Sequence, residues 1–148
     1  MAGCRLRATK SGVATGTALK TIVQLVAAAN HAVLVKEISI SFAGVSNTST
    51  PILVQVSRQT TAGTMSSLTP VKDPDDWAET MQTTALHTAT VEPTTTDVLI
   101  EEYVHPQTGW TELLPFGQDI KIGGGDRLGI RVTAGTDVSC AARFVAEE

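Results

Sequence analysis

Apolar and polar residues alternate along several segments of this chain, and such alternation marks a strand with one face buried. Between Leu34 and Phe42 the even positions Leu34, Ile38, Ile40 and Phe42 are apolar, with Lys36 the exception, while Glu37, Ser39 and Ser41 lie opposite. Ile52, Val54 and Val56 alternate with Gln55 and Ser57; Leu128, Ile130 and Val132 with Arg131 and Thr133; Val138, Cys140, Ala142 and Phe144 with Ser139 and Arg143. Each segment predicts a half-buried strand. Leu19, Ile22, Val23 and Val26 fall at helical spacing within Ala18–Ala29, but Thr21, Ile22, Val23 and Val26 are β-branched and lose rotamer freedom in a helix, which favours a strand there.

Turn chemistry divides these segments. Ile120-Lys121-Ile122 runs into Gly123-Gly124-Gly125-Asp126 and re-emerges at Leu128, which predicts a hairpin, since glycine supplies the positive φ of a tight reversal. Gly135-Thr136-Asp137 predicts another before the last strand, and Pro106-Gln107-Thr108-Gly109 a third, between Val98–His105 and Trp110–Leu114. Gln59–Thr84 shows neither period and reads as a long loop, a feature that is usually functional or mobile. Eight or nine mostly antiparallel strands in one domain spanning residues 1–148 predict an all-β sandwich, jelly-roll-like, or a related barrel.

Composition strengthens that class. Among 148 residues, 22 Thr, 15 Val and 8 Ile make three in ten β-branched. The longest apolar run, Leu25–Ala29, has five residues, far below the ~20 that span a bilayer, so no membrane helix is expected. Met1–Cys4 resembles a lipoprotein cleavage box without a preceding apolar segment, and Ala2 excludes N-myristoylation. The expectation is therefore synthesis and assembly in a cytosol, with Cys4 and Cys140 kept as thiols.

The formal net charge of −4 hides a polarity along the chain. Arg5, Arg7, Lys10, Lys20 and Lys36 give the first 36 residues +5 with no acid, whereas Asp73 to Asp119 carries −10 with no Lys or Arg. So acidic a segment in a small domain would repel phosphate, and nucleic acid is not an expected partner. Two readings remain level: solvated charged faces, or a basic arm that meets an acidic surface on a neighbouring protein.

Reactive constellations are sparse. His31, His87 and His105 form no metal-ligand spacing, Asp73-Pro74-Asp75-Asp76 lacks the glycine and terminal glutamate of a helical calcium loop, and no serine or cysteine sits in a nucleophile motif. Gly123–Gly125 leads into a strand, where there is no helix N-terminus to hold phosphate. No catalytic residue, cofactor or metal is expected. Carbohydrate binding is the main alternative to a structural role, since sandwich folds carry lectin sites. Of six aromatics, Phe42 and Phe144 sit on apolar strand faces, and Trp77, Tyr103 and Trp110 are candidate exposed anchors for a sugar or a protein partner.

The Lys20–Gly44 pair of strands, ILVQVSRQTTAGT from Ile52, TTALHTATVEP from Thr83 and the ending PFGQDIKIGGGDRLGIRVTAGTDVSCAARFVAEE from Pro115 together resemble virion proteins of tailed bacteriophages, and more narrowly the capsid decoration, or cement, proteins. The resemblance implies a sandwich that trimerises on the outer capsid surface, bridges major capsid subunits and has neither catalysis nor cofactor. Head-fibre or tail components are related alternatives. Residues 1–12 then read as a contact arm, in which Cys4–Lys10 (CRLRATK) adds as an edge strand onto a capsid loop and Arg5, Arg7 and Lys10 give charge complementarity. Trp77 and Trp110 complete the expected partner contacts.

Overall fold

The computed structural model describes residues 3–45, 49–73 and 78–148. In chain order its strands are β1 (Arg5–Ala14), β2 (Lys20–Val26), β3 (Val33–Phe42), β4 (Ile52–Gln59), β5 (Thr64–Leu68), β6 (Val71–Lys72), β7 (Thr84–Val91), β8 (Thr95–Val104), β9 (Gly109–Leu113), β10 (Ile120–Ile122), β11 (Arg127–Thr133) and β12 (Ser139–Glu147). Sheet A runs β10-β3-β12-β1-β6, with β9 also pairing to β3; sheet B runs β5-β7-β2-β11-β4-β8. All pairings are antiparallel. The chain is an all-β sandwich, and the ambiguous segment around Ile22 is strand β2.

Between the sheets lies one core. Leu6 and Ala8 of β1, Ile38, Ile40 and Phe42 of β3, and Cys140, Ala142 and Phe144 of β12 meet Val23 and Leu25 of β2, Val54 and Val56 of β4, and Leu128, Ile130 and Val132 of β11. Full burial of each larger side chain contributes roughly 1.5–3 kcal/mol.

Among the described strands, none pairs with its neighbour in sequence. The three expected hairpins are therefore arches between sheets: β8 and β11 belong to sheet B, whereas β9, β10 and β12 belong to sheet A. The turn residues are correctly placed, but glycine and proline reverse a chain equally well into the same sheet or across to the other. Gly124 shows the local demand, since a Cβ there would collide with the Ala29 carbonyl where the β10–β11 arch passes the end of β2.

The expected loop from Gln59 to Thr84 is also corrected. It contains β5 and β6, and with β7 it forms an excursion that leaves β4, adds strands beyond β1 and β2, and returns as β8 beside β4. Polar Thr-Met-Ser-Ser-Leu shows no alternation because β5 is an edge strand with mostly exposed side chains.

Bulges reset the alternation at two points. In β3 the core-facing residues are Val33 and Val35, then Ile38, Ile40 and Phe42, so Leu34 faces outward and the parity changes across Lys36. The pairing with β12 shifts register at the same place, between Val145 and Ala146. In β1 the shift lies between Lys10 and Val13, where Gly12 takes φ +68° and returns Val13 to the core.

Candidate functional site

The Lys36 bulge organises the most distinctive surface of the molecule. β9 pairs with β3 at Glu37–Ser41 and β10 pairs at Val33–Val35, so the chain between them must leave the sheet at the level of Lys36. Both ends of that connection are tied to Lys36: its carbonyl accepts the Leu114 N–H at 2.9 Å, and its ammonium meets Asp119 Oδ2 at 2.9 Å. Between these anchors Pro115–Gln118 closes a turn through the Gln118 N–H to the Pro115 carbonyl, 2.9 Å, with Gly117 at φ +83°. Phe116 is thereby held out at 100% exposure, and Leu113, at the end of β9, is 69% exposed.

These two side chains border a shallow groove of about 450 Å³ on the outer face of sheet A, lined also by Arg5, Arg7, Lys36, Glu37, Val145 and Glu147. Arg5 and Arg7 reach it because alternate residues of β1 point outward while Leu6 and Ala8 enter the core. Arg7 pairs with Asp73 at 2.9 Å, Arg143 pairs with Glu37, and Lys36 lies 3.9 Å from Glu147. Arg5 makes no ion pair within 4 Å among the described residues, although Glu147 lies opposite it on β12, so its guanidinium stands open beside the apolar rim. The Arg7–Asp73 pair is solvated and contributes only about 0–1 kcal/mol, so its main effect is to hold the side chain in place.

The expected contact residues separate accordingly. Arg5 and Arg7 share the groove. Lys10 occupies the opposite row of β1 and acts on His87 of sheet B, whose imidazole is held below its ordinary pKa first by burial and then by the Lys10 charge. Trp110 is half-buried against the core and pairs with Ile40, so the structure corrects its reading as an exposed anchor. Trp77 lies outside the described residues. The segment at residues 1–12 that read as a contact arm is mostly β1, a strand paired along its length with β12 and at Leu6 and Arg7 with β6. Phe116 escaped the sequence reading because it lies in a turn with no period; its neighbours Pro115 and Gly117 were the available signal.

Other reactive groups are dispersed. Among the described residues no three His, Cys, Asp or Glu side chains converge as a metal site. His31 lies 2.9 Å from Gln82 Nε2, His87 Nδ1 lies 2.8 Å from Thr88 Oγ1, and His105 Nδ1 accepts the Gln107 N–H. Cys4 and Cys140 are both buried free thiols. Burial raises the pKa of each, that of Cys140 to about 12, which disfavours thiolate chemistry.

Part of the outer face of sheet B, around Thr21, Gln24 and Gln59, is roofed instead of open. Gln24 and Gln59 are buried there, with Gln24 Nε2 donating to Gln59 Oε1 at 2.7 Å and to the Thr61 carbonyl at 3.0 Å. Gln59 Nε2 donates to Thr21 Oγ1 at 3.0 Å, and the Glu92 carboxylate takes both the N–H and the hydroxyl of Thr21 at 2.7 Å. No family model, curated protein or solved structure matches the chain.

Proposed function

We propose that the chain is a structural virion protein, a capsid decoration or cement protein that binds the outside of a tailed-phage head as a homotrimer and bridges major capsid subunits without catalysis. The observation that carries this reading is the outer face of sheet A: a fully exposed Phe116, held in an anchored turn, beside Leu113, Arg5 and Arg7 on paired strands. Aromatic and arginine side chains dominate protein–protein hot spots, and a rigid support limits the entropy lost on docking. A trimer would present the groove three times, so modest contacts would add through effective concentration into a slowly dissociating clamp. Such a clamp stabilises an assembled shell by mass action.

The strand order supports the finer reading of the sandwich as a jelly roll. β1-β12-β3-β10 of sheet A and β2-β11-β4-β8 of sheet B interleave eight strands between two sheets, with the β5–β7 excursion added at one side.

Co-sedimentation with undecorated heads, together with light scattering of the free protein, tests the proposal. Wild-type protein is expected to sediment with heads and to scatter as a trimer; a monomer that stays in the supernatant would overturn it. Deleting residues 2–10 is a poor probe, because Leu6 and Ala8 leave the core with the arginines. Arg5→Glu with Arg7→Glu keeps the strand. Tyr103, 75% exposed on β8, favours a sugar-binding module as the second reading; glycan-array binding lost in Tyr103→Ala would select it.

A further inference from the structure

We infer that β8 is an acceptor edge for a cationic, extended segment of a partner protein, which adds to sheet B as a further strand. β8 pairs with β4 on one side and, among the described strands, with none on the other. An open edge offers unpaired N–H and C=O groups to any chain of matching length, and proteins usually blunt such edges. Here the other edge strands are short: β5 and β9 have five residues each, β10 three and β6 two. β8 has ten. It is also apolar enough to hold a guest, with Val98 and Leu99 each 39% exposed in addition to Tyr103.

Charge chooses the guest. Asp97, Glu101 and Glu102 are the only ionisable acids or bases on β8 apart from the Tyr103 phenol. Asp97 and Glu102 have no ion pair among the described residues, and Glu101 accepts a hydrogen bond from Gln55 at 2.5 Å. A second β8 laid alongside would place acid against acid, which disfavours self-pairing. A strand with Lys or Arg at alternate positions instead gains complementary charge at Asp97 and Glu102, while its intervening apolar residues meet Val98 and Tyr103 on the other face. The chain's own arginine-bearing strand is a poor guest, since Arg5–Arg7 already lies between β12 and β6. The inference shares no residue with the sheet A groove, so it stands or falls apart from head binding.

The probe is the capped peptide acetyl-Lys-Val-Lys-Val-Lys-Val-Lys-amide, added to isotope-labelled wild-type protein and followed by amide exchange and chemical shift. Binding is expected to slow exchange of β8 amides, and the Glu101→Lys, Glu102→Lys variant is expected to bind about tenfold more weakly. The same peptide N-methylated at every residue keeps its charge, cannot donate to the edge, and is expected not to bind. Equal affinity for the methylated peptide, shifts confined to residues outside β8, or no binding would overturn the inference. So would β8 protection that rises with protein concentration alone, because a second copy would then be the guest.

Discussion

The two outer faces of this sandwich are built from similar strands and used in opposite ways. On sheet B the chain covers itself: the connections at Thr61 and Glu92 close over Gln24, Gln59 and Thr21, whose side chains find partners within the fold, while the buried Ser57 hydroxyl has none among the described residues. On sheet A the face stays open, and the connection at the Lys36 bulge pushes Phe116 outward where a covering segment would have drawn it in. Buried polar groups left without partners cost far more than exposed apolar ones, so the roofed face is where substitution damages the fold. The open face is where substitution can change partners and leave the fold intact.

Substitutions at four positions break or sharpen this contrast. Gly129 lies under the roof, where an added Cβ would stand 2.6 Å from Gln59 Cδ, and Gln59 is fixed by hydrogen bonds to Gln24 and Thr21. Gly129→Ala is expected to cost about 3 kcal/mol, from overpacking and an unpaired amide, and to lower the melting temperature by roughly 6–12 °C in calorimetry. Glu92→Ala orphans the Thr21 N–H and is expected to cost about 2 kcal/mol in urea denaturation, with Glu92→Gln recovering part of it through its remaining acceptor oxygen. Phe116→Ser on the open face is expected to change stability by less than about 0.5 kcal/mol in the same titration. The smallest effect lies at His87, whose folded pKa is depressed by burial and by Lys10. The unfolded chain takes up that proton first, so the contribution is present above about pH 6.5 and is lost as pH falls through the lower folded value. His87→Gln should flatten stability against pH below 6.5 relative to wild type.

The half of the fold governed by period was legible in the sequence. Ile52-Val54-Val56, Leu128-Ile130-Val132 and Val138-Cys140-Ala142-Phe144 alternate because each strand buries one face, and all these residues are in the core. Pairing was not legible, because the turns at Pro106–Gly109, Gly123–Asp126 and Gly135–Asp137 reverse the chain without saying which sheet receives it. Lys36 marked the β3 bulge as an interruption of the pattern, but one misplaced charge could equally be an exposed strand end. Of the candidate surface, Arg5 and Arg7 were legible from charge. Phe116 was not, since its exposure depends on a turn anchored by a bulge more than seventy residues earlier in sequence.

Hydrogen exchange of the chain bound to undecorated heads tests the division of labour most directly. Added protection is expected at residues 5–7, 113–114 and 116–118, with residues 60–63 and 92–95 unchanged from the free protein. Protection appearing on the roofed face while the Phe116 turn exchanges as before would contradict it.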